Sequence, residues 1–427
     1  MISYLKNPEI QSWEKIFCRP KLEEKKLSQI VEKIWNEVRL KNDNALRELT
    51  KKLDGCEIQD FKVSESRIKQ SKNNIDIDLR NSILVAYDNI SRFHNSQIKP
   101  HAKIEISPGV KCWRESRPIN NVGLYIPGGS APLFSTLLML GIPAKIAGVK
   151  NINIVTPPNR DGEIDDVILY VASILEISNI FKIGGAQSIA ALSMGTNTIP
   201  KVDKIFGPGN QYVTKSKFFA SNNGTDIDML SGPSEVFIIA DNSCNPKYVA
   251  ADLLSQAEHG PDSQFILATD DKSVIVKVQK EIEEQLLSLP RAETIIKSIK
   301  NSFLVKFQNI NDCVELSNFY APEHLIIASK NFENHIDKII NAGSVFLGNY
   351  SCESAGDYAS GTNHVLPTGG LSLTRSGVSV DSFLKTITFQ KLTSNGLESI
   401  GPAIINMADA EGMHAHSNSV KIRLDKK

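Results

Sequence analysis

The chain has 427 residues, 41% hydrophobic and 22% charged, an ordinary enzyme-like balance and long enough for two or three domains. Lys plus Arg and Asp plus Glu number 48 each, so there is no net charge to draw the chain toward nucleic acid or anionic lipid. No apolar run approaches the roughly 18 residues of a membrane span, Met1–Lys6 lacks a secretory pattern, and the scattered cysteines form no CxxC pair, so reduced thiols and a cytoplasmic location are expected.

In chain order, Leu27, Ile30, Val31, Ile34 and Val38 recur at helical spacing. Ala45, Leu46, Leu49 and Leu53 continue as a second helix that Gly55 stops. From about Val122, short apolar runs alternate with helical segments. VGLYIPGG (122–129), NINIVTPP (151–158), FKIGG (181–185) and KIFGPG (204–209) read as strands ending in Gly or Pro, with helices between them. A second series begins at SEVFIIAD (234–241). It runs through helix KYVAADLLSQAEHG (247–260), strand QFILATD, two helices to about Ser302, strand HLIIAS (324–329), helix FENHIDKIINAG and strand SVFLGN. The tail reads as a helix around Asp381 to Leu392, helical pattern from Ile400 to Gly412, and a polar end. The expected class is α/β: two Rossmann-like, incomplete and doubly wound domains with helical N-terminal and C-terminal extensions. Ligands of such sheets bind where the strands end.

Four stretches carry candidate chemistry. Gln256 and His259 are three apart near a helix end, on one face, and offer an amide oxygen and an imidazole to one metal. A capped helix C-terminus with His on the negative end of the dipole accounts for the same residues. Glu323-His324 opens a strand and supplies two proton acceptors, or else a turn with a surface acid. Glu353 to His364 is rich in Gly, Ser, Asp and Asn and reads as a functional loop in which Asp357 offers oxygen and His364 a nitrogen. Glu411 to His416 ends in an HxH that is either a chelator or a polar tail. No GxGxxG is present. Gly at the strand ends of GLYIPGGSAP, GGAQS and FGPGNQ allows close approach to a phosphate, and tight turns alone also explain it.

The strings GLYIPGGSAPLFSTLLML, GGAQSIAAL, KVDKIFGPGN, GPSEV, DLLSQAEHGPDSQ, PEHL, GSVFLG and ESAGDYASGTNHVLPT, in this order along nearly the whole chain, resemble the histidinol dehydrogenase family. That resemblance implies oxidation of L-histidinol to L-histidine, the last steps of histidine biosynthesis, through an aldehyde-level intermediate with two NAD. It implies a homodimer with one zinc per subunit and shared active sites. Its metal ligands would be Gln256, His259, Asp357 and a His416 lent by the second copy. Its substrate contacts would be Ser234, His324 and Glu411 beside those ligands, with His364 a further candidate. Its NAD contacts would be Tyr125, Gln187 and Asn210. His414 has no counterpart in the family, and Leu371 to Arg375 lacks an aromatic that many relatives carry. The implied division is 1–22 as an N-terminal extension, 23–120 with 233–376 as the α/β domain carrying most metal and catalytic residues, 121–232 as the NAD-contacting domain, and 377–427 as a helical tail reaching the partner's site.

Hydride loss from a carbinol requires a base for the hydroxyl proton, a role suited to His324, and the second oxidation requires activated water, a role suited to Glu323. Zinc then acts as a template that holds the amine and imidazole nitrogens. Three rival readings stand beside this one: an aldehyde dehydrogenase with Cys352 as nucleophile, a relative acting on another amino or sulfonated alcohol, and a zinc-binding protein without catalysis.

Overall fold

The computed structural model describes residues 2–19, 24–128, 132–230 and 232–425. The Gly129–Ala131 part of the first Gly-rich turn therefore lies outside the described residues. In chain order the strands are β1 (Ser3–Lys6), β2 (Ile104–Ser107), β3 (Val110–Pro118), β4 (Asn121–Tyr125), β5 (Asn151–Thr156), β6 (Ile180–Lys182) and β7 (Lys204–Phe206). They continue with β8 (Asp226–Ile227), β9 (Glu235–Ala240), β10 (Gln264–Thr269), β11 (Phe303–Lys306), β12 (His324–Ala328), β13 (Ser344–Leu347) and β14 (Leu384–Leu392).

Two parallel sheets form the body. One has the order β6-β5-β4-β7-β8 and the other β1-β11-β10-β9-β12-β13. The runs EVFIIA and QFILAT are buried at every position, as strands covered on both faces must be. In each sheet the strand that comes first after the helical or loop entry lies in the middle: β4 with β5 and β6 to one side and β7 and β8 to the other, β9 likewise between β10 and β12. This reversal opens a crevice at the carboxyl ends of β4 and β7. The expected α/β class with parallel sheets and helical extensions is the one found.

The helices of the N-terminal quarter pack with the five-stranded sheet, contrary to the expected grouping of 23–120 with 233–376. Val31, Trp35 and Leu46 share a core with Ile189 and Val213, and Trp35 Nε1 donates to Ser216 Oγ at 2.7 Å. Ile83 and Ile90, from the helix Ile77–Asn95, pack against Leu137. The first residues are no loose extension either, since β1 pairs with β11 at the edge of the six-stranded sheet. The helices fall this way because their apolar stripes match the aliphatic faces of the helices Gly185–Met194 and Phe134–Ala147.

Three further expectations are corrected. Residues 384–392, read as helix, form β14, which pairs antiparallel with β3 along nine registered positions and with β2 builds a third sheet. Thr386, Ile387, Thr388 and Phe389 are the β-branched and aromatic residues that favour a pleated surface. The stretch 332–343 is helical only at Glu333–Ile336, because Asn318 takes its backbone groups: Nδ2 donates to Lys338 O at 2.8 Å and Oδ1 accepts from Ile340 N at 2.8 Å. The supposed loop at 353–364 begins with a helix, Glu353–Tyr358. The chain end is also helical, Ser394–Ala410 then His414–Leu424, packed as a pair.

Candidate active site

The site gathers at the amino ends of β9 and β12. Asn245 caps the helix Pro246–Ala257 and Pro246 starts it, and its last turn delivers the fully buried Gln256 and, just beyond, His259. Ala321, in the left-handed region at φ 51°, turns the chain so that Glu323 and His324 enter β12 facing this helix end. In the helix Glu353–Tyr358 the acids Glu353 and Asp357 are four apart and share a face.

His324 sits inside a ring of carboxylates. Its Nδ1 lies 3.8 Å from Glu323 Oε2 and 3.8 Å from Glu353 Oε1, and its Nε2 lies 3.6 Å from Asp357 Oδ1. His324, Glu323 and Glu353 are buried and Asp357 half-buried, yet neither His324 nitrogen has a hydrogen-bond partner among the described residues. Burial lowers the imidazole pKa, but the charges of Glu353, Glu323 and Asp357 outweigh it and push His324 up to about 10. Burial pushes Glu323 up to about 8, against the pull of His324 and of the Glu235 N–H that its Oε2 accepts at 3.0 Å. Burial likewise holds Glu353 well above the usual carboxylate range and takes Asp252 up to about 7. Asp357 goes the other way: burial raises it, but its contact with His324 and the nearby His364 and His259 carry it below the usual value.

His259, Glu353 and Asp357 each offer a ligand atom within 4.8 Å of the others. Gln256 joins them in the orientation that satisfies its amide: the nitrogen donates to Glu353 Oε1 at 2.7 Å and the oxygen accepts from Glu235 N at 3.3 Å. These are nitrogen and oxygen donors without thiolate, the set suited to an exchangeable catalytic zinc. Ser234 immediately precedes β9 and Glu235, whose N–H reaches Glu323 and Gln256. His364 Nδ1 donates to the Asp357 carbonyl at 2.8 Å, which turns Nε2 toward the Thr136 hydroxyl at 3.3 Å. Thr136 belongs to the first helix after β4, so this contact joins the cluster to the five-stranded sheet.

Behind the cluster, Arg19 anchors Glu235. Its Nη2 donates to Glu235 Oε1 at 3.1 Å and to the Tyr320 carbonyl at 2.6 Å, while Tyr320 Oη donates to Glu235 Oε2 at 3.0 Å. The guanidinium lies 3.9 Å from the centroid of the Tyr320 ring.

Tyr125, Gln187 and Asn210 lie at the carboxyl ends of β4, β6 and β7. The Tyr125 hydroxyl accepts from Gly185 N at 3.4 Å, and burial pushes it up to about 12. Gln187 is 1% exposed and both amide atoms are without partners among the described residues. Asn210 caps the helix Gln211–Asn222, its Oδ1 accepting from Tyr212 N at 3.0 Å and Val213 N at 3.1 Å.

The chain thus brings together Gln256, His259, Glu323, His324, Asp357 and His364, with Ser234 next in sequence to Glu235; Tyr125 and Gln187 both approach Gly185, and Asn210 begins the helix after β7. It does not bring in Glu411 or His416. Both are exposed on the tail, and no hydrogen bond or ion pair joins them to the cluster among the described residues. His414 points to Asp409 instead, at 3.4 Å. Cys352 is exposed at the entrance to the helix Glu353–Tyr358. Sequence reasoning assigned no role to Glu353 or Glu235. The acid pair four apart at Glu353 and Asp357 was the available signal, hidden by reading the stretch as a loop.

A family model described as histidinol dehydrogenase matches residues 18–424. The histidinol dehydrogenase of Bacteroides fragilis (strain YCH46) is 48% identical over 421 residues, covering 99% of this chain and 98% of the relative. That of Buchnera aphidicola subsp. Acyrthosiphon pisum is 49% identical over 415 residues, covering 96% and 94%. The crystal structure of histidinol dehydrogenase from Elizabethkingia anophelis superposes with a TM-score of 0.97 at 51% identity, covering 99% of this chain and 98% of that one.

Proposed function

The chain belongs to the histidinol dehydrogenase family, and from that premise we propose that it oxidises L-histidinol to L-histidine in two successive hydride transfers to NAD at one zinc-holding site completed by a second copy. The observation that carries this reading is the buried ring around His324, with the His259–Asp357 donor pair at its rim.

The metal ligands would be Gln256, His259 and Asp357, with His416 of a second copy. A zinc ion held there would supply a Lewis-acidic template for the nitrogen groups of the reactant. Ser234 and Glu411, with His364, complete the substrate's surroundings. A divalent cation held by His259 and Asp357 would offset the carboxylates that raise His324 and leave its imidazole neutral; His324 Nε2 then takes the hydroxyl proton as hydride leaves the carbinol carbon, and Glu323 and Glu353 flank the opposite nitrogen to hold the imidazolium that forms. Once the aldehyde stands in place of the alcohol, Glu323 activates the water that adds to it. As the water adds, His324 returns its proton to the carbonyl oxygen and, neutral again, accepts the second hydroxyl proton as the hydrate gives up hydride. The wall of Glu353, Gln256 and Glu235 keeps bulk water from the reactive aldehyde.

NAD, the hydride acceptor, would bind at the crevice between the ends of β4 and β7, on Tyr125, Gln187 and Asn210. Two orphaned, buried amide atoms of Gln187 favour this place, since burial without a partner is costly unless a ligand relieves it. The antiparallel sheet and tail suit a dimer arm. Ile104, Ile106, Met407, Met413 and Ile422 are each more than half exposed, and a groove of about 570 Å³ lined by His101, Trp113 and Phe389 runs along it. No helix of the described residues is long and apolar enough to cross a membrane, consistent with work in the cytoplasm.

The test is stoichiometry. Zinc-loaded protein given limiting L-histidinol and excess NAD should yield two NADH per histidinol, with no free aldehyde trapped by semicarbazide. One NADH per histidinol, or none with histidinol while another amino alcohol is turned over, would contradict the reading.

A further inference from the structure

We propose that Lys217 and Asp228 are positioning residues for the dinucleotide: a buried ion pair that clamps Gly207 on both sides and so fixes the loop from which Asn210 projects. This rests on the cofactor reading above, that the dinucleotide occupies the crevice at the ends of β4 and β7.

The crevice demands an unusual backbone. Gly207 follows β7 with φ at 119°, and a Cβ added there would lie 2.1 Å from the Tyr125 carbonyl oxygen. Only glycine meets both conditions, and glycine leaves the loop free to take other conformations. Something else must hold it. The Gly207 N–H donates to Asp228 Oδ2 at 2.8 Å, and the Gly207 carbonyl accepts from Lys217 Nζ at 2.9 Å. Lys217 and Asp228 close the ring by pairing with each other, both side chains 1% exposed. Asp228 is itself fixed: its Oδ1 accepts from Met229 N at 2.5 Å, and its own N–H donates to Ile205 O at 3.0 Å.

The clamp connects to the proposed cofactor contact through one helix. Asn210 caps the helix Gln211–Asn222, and Lys217 lies on that same helix. Holding Gly207 to Lys217 therefore fixes Gly209 and Asn210 between two anchored points. A buried ion pair adds little to stability compared with apolar residues of similar size, so stability alone does not account for a lysine at this depth. Orientation of a loop does, because the pair satisfies both backbone polar groups of one residue, Gly207, that an apolar side chain leaves bare.

The experiment compares full-length zinc-loaded protein, Lys217→Met, the double variant Lys217→Met/Asp228→Asn and Asn210→Ala. The double variant removes both charges together and avoids a lone buried carboxylate, which keeps the comparison open where the single variant fails to fold. Calorimetric NAD affinity and the KM values for NAD and L-histidinol are measured beside zinc content and melting temperature. A loop displaced by an ångström-scale shift should weaken NAD binding and raise its KM by about tenfold or more. The KM for histidinol and the zinc content should stay within about twofold, since the clamp touches neither. A lowered melting temperature with unaltered NAD affinity in the double variant would overturn the proposal and leave the pair a purely structural one. Weakened binding in Asn210→Ala without any in the pair variants overturns the clamp alone. Unaltered affinity in Asn210→Ala would place the dinucleotide elsewhere and overturn both the cofactor reading and the clamp.

Discussion

Replacing Glu323 by Gln should slow the chemistry and steady the fold at once. Burial pushes the Glu323 carboxyl from 4.5 to about 8, so the folded chain holds its proton more tightly than the unfolded chain does. A raised carboxyl pKa gives a contribution that is present in full below 4.5 and is lost as pH rises through 8. At pH 7, with 1.36 kcal/mol for each pH unit above 4.5, the metal-free fold gives up on the order of 3 kcal/mol to this one group. Gln does not titrate, and its oxygen still accepts from Glu235 N. Urea denaturation of the metal-free protein should therefore show Glu323→Gln ahead of the parent at pH 7 to 8 and level with it at pH 4. Catalysis should move the other way. Loss of a positioned base costs roughly two to four orders of magnitude, and the loss should fall on the second oxidation. Rapid mixing with histidinol should give a first NADH at near-parent rate and then a stall, while the corresponding aldehyde is oxidised slowly from the outset. Equal slowing of both oxidations would refute the division of labour between Glu323 and His324.

Two further outcomes follow from buried charge. Asp54 is raised from 3.8 to about 6 by burial, with Oδ2 unpartnered among the described residues, so its contribution is complete below 3.8 and lost as pH rises through 6; Asp54→Asn should stabilise the chain by about 2 kcal/mol at pH 8 and little at pH 4, and a gain independent of pH in urea titrations would contradict this. Arg19→Met leaves the Glu235 carboxylate, 2% exposed, without its cation and should cost about 3 kcal/mol, with Arg19→Met/Glu235→Gln recovering part of it; an unmoved melting curve for the single variant would show the pair to be idle.

The parallel sheets were legible because strands buried on both faces are near-continuous apolar runs, as in EVFIIA and QFILAT, bounded by Gly and Pro. The arm was not. Residues 384–392 are mostly exposed and their pairing partner is β3, more than 250 residues earlier, a contact that no local pattern reports. The packing of the helices before residue 95 was misjudged for the same reason: amphipathic stripes say that a face is buried, and not against which sheet. At the site, residue types pointed to nitrogen and oxygen ligands, and the likeness of motifs named them. What sequence spacing does not encode is the carboxylate ring. Glu353 reaches His324 and Gln256 only because a six-residue helix replaces the expected loop, and Glu235 reaches Glu323 through its backbone N–H, a group without side-chain identity.

The proposed site is assembled from two copies of the chain, and mixed dimers test it. His259→Ala and His416→Ala should each be inactive alone. Unfolded together and refolded at equal amounts, half the dimers are hybrids with one whole site, and activity should return to about a quarter of the parent level. No recovery from a mixture that forms dimers, or full activity of His416→Ala by itself, would show that each chain completes its own site.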